Sequence, residues 1–557
     1  MHSQNIRPIG RALLSAAIAT LCCVPVQSAW TQAQVQVPPG ATPGANVPRD
    51  TERMTAPPEA APDIFSVPRK LDRPVGADEG PRVRVQRFEL SGAVDRADAG
   101  IKVADITALL EKQRAAQPAE GFTIVQLEGV AEEVTKYYRS HGLLLAQAFV
   151  PVQEVSGGVV KVGVLEGKLG DVTVEGNKRY STRSIQDAFA QIVGEPVNQL
   201  SAEKALFTLN DYPGLDVYGV FQPGKQIGST TLAIQVRRED PMEYYAAADN
   251  FGPDSTGQYR VRAGLLANSP FGFGDQLNAY AIYSLDPSDS NADSLFGGIE
   301  YNFPMPRTYA RYALRYSTSD YNVGGEFSDF SGKSYIGEVE GNFLLKRTRT
   351  NTSRLYITGS KKKGEVSASL GSTQEDKVQS LTARFESSII DTRFRGVNRI
   401  DFGYTTGEVT NADPAVNTRF NLSPGFTRWN LSLERWQRLG EAAALVINAR
   451  GQASGDRLTS FDQVAIGGPE NVRGYRPATF FADEAATASA EFILEAPGFH
   501  DRKAWKDYTW GQVLKFHVFA DYAYAKVNGV PSGSATLTRD EDFSSFGGGV
   551  SFELPGT

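Results

Sequence analysis

The side chains that usually transfer protons or attack carbonyls are scarce in this chain. Of its four histidines, His2 lies in the N-terminal stretch 1–33, and His141, His500 and His517 are far apart in sequence. The two cysteines, Cys22 and Cys23, are adjacent in that same stretch. No serine sits in a G-x-S-x-G elbow, no H-E-x-x-H occurs, and "VLEGKLG" is too short for a phosphate-binding loop. These absences disfavour an enzyme and lead to the expectation of no cofactor and no metal. The unusual run is instead "GGPENVRGYRPATF" (467–480), in which glycines and two prolines crowd around Arg473 and Tyr475 just after a strand-like segment. A guanidinium in such a loop offers recognition rather than bond making. Its planar fork can grip a carboxylate bidentately, which fixes orientation as well as proximity.

The elements around that loop read as strands. Beyond Pro241, segments of about ten residues alternate with period two and are separated by Gly, Asn, Asp and Pro. In "TYARYALRYSTS", Tyr312, Leu314 and Tyr316 share one face while Arg311 and Arg315 share the other. "SLTARFESSII" sets Leu381, Ala383, Phe385 and Ile389 against Thr382, Arg384 and Glu386. "VLKFHVFADYAY" sets Leu514, Phe516, Val518 and Tyr522 against Lys515, His517 and Asp521. About fourteen such strands can be counted, beginning near Glu243, Tyr259, Gln276, Leu295, Tyr309, Tyr335, Arg354, Val378, Asn398, Arg428, Ala443, Ala488, Val513 and Phe546. Aromatics such as Tyr244, Tyr245, Tyr301, Phe303 and Trp429 fall at strand ends. Number, succession and aromatic placement favour an antiparallel transmembrane β-barrel over a soluble sandwich, with the apolar face toward lipid and the polar face toward the lumen.

The N-terminal portion has a different texture. Arg7 and Arg11 precede an apolar run and the small residues Ser28 and Ala29, the pattern of a secretory signal peptide over residues 1–33. Residues 34–80 are rich in Pro, Ala, Gly and Asp and form an expected linker with too few large apolar residues to pack. Two α+β units follow, 81–167 and 168–240, each reading β-α-α-β-β, before the barrel at 241–557. In the first unit, Val103, Ile106, Leu109 and Leu110 mark one helix, and Leu127, Val130, Val134 and Tyr138 a second that Gly142 closes. In the second unit, helices are expected over 184–193 and 201–210. Tandem modules of this kind suit a binding platform. Their candidate free edges are the late strands at 159–166 and 231–236. A net charge of -7 gives no footprint for nucleic acid.

This order of parts, with "FDQVAIGGPENVRGYRP" ahead of the last strands and "VFADYA" within them, resembles the TpsB transporters of two-partner secretion. These belong to the wider superfamily of POTRA-bearing barrels that includes the BamA assembly factor. The resemblance covers about 82–554. It implies two POTRA modules in the periplasm and a barrel of sixteen strands, two more than the count above, in the outer membrane of a Gram-negative bacterium. It implies that the loop at 467–485, with Val472, Arg473, Gly474 and Tyr475 as its core, folds into the lumen. There Arg473 would meet an acidic residue on a late strand, and Phe519 and Asp521 stand in the matching motif. Ala523 stands where the family often has glycine. The implied function is secretion of a large, unfolded β-helical exoprotein without ATP, with that exoprotein and outer-membrane lipid as partners. The alternative is an assembly factor that inserts other barrels; a passive porin would need neither modules nor loop.

Overall fold

A computed structural model describes residues 42–46, 64–66, 81–369, 371–411, 416–532 and 535–553. The expected signal peptide and most of the Pro-rich linker lie outside them. Strand β1 (Phe65–Ser66) precedes the first module, which runs β2 (Arg87–Ser91), α1 (Val103–Ala115), α2 (Ile124–Ser140), β3 (Gln147–Phe149) and β4 (Val159–Leu165). The second runs β5 (Lys168–Glu175), α3 (Thr182–Asp187), α4 (Gln199–Asn210), β6 (Leu215–Pro223) and β7 (Ser229–Glu239).

In the first module the helical spacing puts Ile106, Leu110, Val130, Val134 and Tyr138 against Val160, Val162 and Val164 of β4. A capping box fixes the start of α2: the Gln126 N–H donates to Thr123 Oγ1, and the Thr123 N–H donates to Gln126 Oε1. Gly142, at φ +88°, follows its end. In the second module α3 stops at Asp187, short of the expected Val193. The chain there tightens into three-residue turns, Phe189 N–H to Gln186 and Ile192 N–H to Phe189, which bury Phe189 completely.

The sheet orders correct the expected edges. The first sheet is β2-β4-β3 and the second β1-β6-β7-β5. The late strands β4 and β7 are therefore interior, hydrogen-bonded on both sides, and the edges fall on β2, β3, β5 and the β1 side of β6. The linker expectation is corrected as well. Ile64 is buried in the second module's core. The Gly44 N–H donates to Ser460 Oγ, and Pro43 lies so close to Gly364 that a Cβ there would meet it at 2.4 Å.

From Met242 onward, fourteen antiparallel strands form one sheet in chain order, from Met242–Asp249 to Ala535–Phe552. Among the described residues these two end strands are not paired with each other. Several strands start earlier than expected: Asp289 rather than Leu295, and Ala535 rather than Phe546. The alternation places Leu314, Tyr316, Leu381 and Phe385 on the exposed face. The opposite face carries ion pairs such as Arg315 with Glu300 and Glu340, and Arg384 with Asp401. An exposed apolar band over a charged inner face is the arrangement lipid requires. Aromatics line one rim, where Tyr301 stacks with Phe303 and Phe303 with Tyr312.

The second module is fastened to the turns at that rim by opposite charge. Asp211 accepts from Arg347 at 2.8 Å and from Arg354 at 3.0 Å, and Glu203 accepts from Arg349 at 2.9 Å. Asp187 pairs with Arg307 at 3.3 Å.

Candidate functional site

The loop following the strand Ala443–Ala453 turns inward and is held at three levels. At its root, Asp483 is fully buried and accepts from Arg419 Nη1 at 2.9 Å and from the Asn528 N–H at 2.9 Å. Nearby, Asp462 accepts from Lys362 Nζ at 2.9 Å and from Thr459 Oγ1 at 3.0 Å. Burial alone would push the Asp462 carboxyl up, but Lys362 and Arg428 together with the Thr459 bond outweigh it and hold it below the usual carboxylate range.

The middle of the loop is a two-stranded ribbon, Val464–Ile466 against Phe480–Ala482. Asn471 organises its tip: its side chain accepts from the N–H groups of Gly467 and Val472 and donates to the Ala465 carbonyl. Gly467 has φ +102°, and a Cβ there would stand 2.2 Å from the Arg476 carbonyl oxygen. The position therefore requires glycine. Val472 is buried with Ile466, Phe480, Ala523, Ala525 and Phe543. Ala523 takes part in this contact.

The tip is where Arg473 and Asp521 meet. Arg473 Nε donates to Asp521 Oδ2 at 2.8 Å and Nη2 donates to Oδ1 at 2.7 Å, a bidentate fork. The backbone N–H of Arg473 adds a third bond to the same carboxylate at 3.0 Å. The guanidinium lies 3.5 Å from the centroid of the Phe519 ring. The Asp521 side chain has no exposure and that of Arg473 has 16 %. Gly474 makes the turn after Arg473 at φ +88°, and Tyr475 packs edge-on against Phe543.

Two partners of Arg473, Glu491 and Ser489, do not stand out in the sequence. Glu491 accepts from Arg473 Nη1, and Ser489 Oγ accepts from Nη2 at 3.0 Å while donating to Asp521 at 2.7 Å. His517 backs Glu491, with Nδ1 2.7 Å from its carboxylate and Nε2 2.8 Å from Ser551 Oγ. The signal was present in the register, since Ser489 lies opposite Asp521 and Glu491 opposite Phe519. Directly opposed residues share a face in an antiparallel pair. The other histidines are not brought here: His141 closes α2, its Nδ1 2.8 Å from the Tyr137 carbonyl, and His500 lies beside Asp501.

A cavity of about 500 Å³ adjoins the loop, lined by Gly467, Pro469 and Asn471 together with Asp401, Arg428 and Arg450. Among the described residues no group of His, Cys, Asp and Glu side chains is arranged to hold a metal ion. The arrangement is a cation on a loop, gripped by carboxylates on two adjacent strands.

Comparisons with known proteins agree with this architecture. A POTRA domain of ShlB type matches residues 99–167. The heme/hemopexin transporter protein HuxB of Haemophilus influenzae (strain 86-028NP) is 25% identical over 449 residues, spanning 78% of this chain and 76% of that protein. The outer membrane transporter CdiB of Dickeya dadantii is 27% identical over 371 residues, 63% of each chain. The solved structure of CdiB from Escherichia coli shares the fold, with a TM-score of 0.65 at 18% identity, covering 88% of this chain and 87% of that one. The haemolysin secretion/activation proteins ShlB/FhaC/HecB match residues 228–509, half of the sequence, and the chain belongs to that family.

Proposed function

We propose that this protein captures an unfolded exoprotein on its two periplasmic modules and passes it through the barrel once the Arg473 loop is released. As a member of its family the chain is an outer-membrane secretion transporter whose N-terminal modules lie in the periplasm. HuxB is named a heme/hemopexin transporter protein and CdiB an outer membrane transporter. The exoprotein of this chain is a large secreted partner of the same general kind. The observation that carries the proposal is the latch itself. A loop lies against the inner face of a fourteen-stranded sheet, held there by non-covalent contacts centred on Arg473 and Asp521. Such a loop can leave and return without chemistry.

Client capture on the modules fits strand addition, in which an extended segment gains main-chain hydrogen bonds with little demand on sequence. The strands that can accept one are those at sheet edges, not β4 or β7. Crossing requires no nucleotide if folding outside the cell makes return unfavourable, and no catalytic role is assigned to any residue. The test is export of large exoproteins into the medium by cells with and without the chain. Loss of export with normal levels of other outer-membrane proteins supports secretion. Normal export with failed assembly of other barrels identifies an assembly factor instead.

A further inference from the structure

The outer edge of β6 is closed by the chain's own N-terminal segment. β1 runs parallel to β6, with Phe65 opposite Gly219 and Ser66 opposite Val220, and the Gly219 N–H donates to the Ile64 carbonyl at 2.9 Å. Further along, both backbone groups of Val217 are taken by the Asn210 side chain, at 2.8 Å and 3.2 Å. Ile64 is 6% exposed within the module core, and Phe65 packs on that core and meets Phe221 edge-on at 5.6 Å. The β-α-α-β-β unit is complete without these residues. They arrive from before the first module, across the whole of residues 81–165.

We propose that residues 64–66 are a built-in competitor: they hold the β6 edge closed until an extended client segment bearing adjacent large apolar residues displaces them. This deepens the secretion reading and rests on it. Pro62 and Pro68 bracket the competitor in the sequence, and proline has no N–H to give to a ladder. A client segment free of proline can extend the pairing and displace Asn210 from Val217. It must also outcompete a tethered strand, whose effective concentration is on the order of millimolar for a flexible link. The edge thereby discriminates: weakly apolar extended chains in the periplasm do not open it, and a segment that fills the places of Ile64 and Phe65 does.

The test uses the full chain in detergent with Cys22→Ser and Cys23→Ser. The probe is a fluorescein-labelled peptide of residues 61–70, APDIFSVPRK, followed by anisotropy. The Ile64→Ala/Phe65→Ala variant, whose edge is vacated, is expected to bind the probe about tenfold tighter than the otherwise unaltered chain, because the intramolecular competitor is gone. Ser66→Cys/Val220→Cys joins direct register partners, within the span a disulfide bridges. Oxidised, it is expected to bind no probe; reduced, it returns to the unaltered value. Equal binding by all four forms overturns the proposal, and so does a vacated variant that binds no better while the lock has no effect. A second readout separates this proposal from the secretion reading. Export of an exoprotein that depends on the chain is expected to stop in the oxidised lock and resume on reduction. Equal export in both states overturns the competitor alone. No export even from the unaltered chain overturns the secretion reading, while the anisotropy result still decides the competitor.

Discussion

Arg473→Ala tests the latch most sharply. The side chain makes four hydrogen bonds, two to Asp521 and one each to Glu491 and Ser489. Its removal leaves two carboxylates facing the loop without their guanidinium, one of them with no exposure. Breaking a buried pair from one side costs roughly 3 to 5 kcal/mol. Arg473 keeps some exposure, so the low end applies, about 3 kcal/mol. Because each 1.4 kcal/mol is about tenfold, the undocked fraction of the loop rises roughly a hundredfold. Hydrogen exchange reads this directly through the amides of Gly468, which donates to Tyr475, and of Gly467, which donates to Asn471. Loop peptides covering 464–480 should exchange about a hundredfold faster while the strand Asn351–Ala368 stays protected. Arg473→Lys keeps the charge but loses the fork, and should fall between, at about tenfold. A change under about threefold, the size expected of an exposed surface pair, would refute the reasoning.

Three further outcomes follow from the same geometry. Gly467→Ala forces a side chain into a left-handed position against the Arg476 carbonyl. It should destabilise the loop by about 2 kcal/mol, read as faster exchange of 464–480 with the sheet intact. Asp211→Ala removes the acceptor shared by Arg347 and Arg354 and should loosen the second module from the rim by about 1 to 2 kcal/mol. Faster proteolysis between Glu239 and Met242 would show it, and unchanged cleavage would count against the docking role. Asp462 is held below its usual value, so its ionised form stabilises the loop root above pH 3.8 and that contribution fades as pH falls through the lower folded value. Protection of 457–463 should stay flat from neutral pH to about pH 4.5 once intrinsic rates are corrected. Loosening that begins near pH 6 would contradict the Lys362 pairing.

Much of the barrel was legible because lipid imposes a strict rule. Leu314, Tyr316, Leu381 and Phe385 had to share an apolar face, and period two displays that face in the text. Between Asp289 and Leu295, and between Ala535 and Phe546, mostly polar residues show no apolar alternation, so the strands begin earlier than the pattern indicates. Sheet order was not legible, because hydrophobic pattern says which face is buried but not which strand lies at the edge. For that reason the late strands β4 and β7 look like edges in the sequence, whereas each is flanked on both sides. In the site, Arg473 and Asp521 stood out by motif, whereas Glu491 and Ser489 became visible only once the register set them opposite Phe519 and Asp521. Ile64 and Phe65 were passed over because they sit in a segment of Pro-rich composition, and their pairing with Gly219 spans more sequence than local propensity can reach.

The central claim, passage of an unfolded exoprotein through this chain without nucleotide, is tested most directly in vesicles. The purified protein is reconstituted with its modules facing outward, and an exoprotein whose export depends on the chain is added from denaturant in the absence of ATP. Exoprotein that becomes protected from external protease only in vesicles containing the chain is the predicted result, with protection abolished by the oxidised Ser66→Cys/Val220→Cys lock. No protection above empty vesicles, together with accelerated insertion of other unfolded barrels, would contradict it.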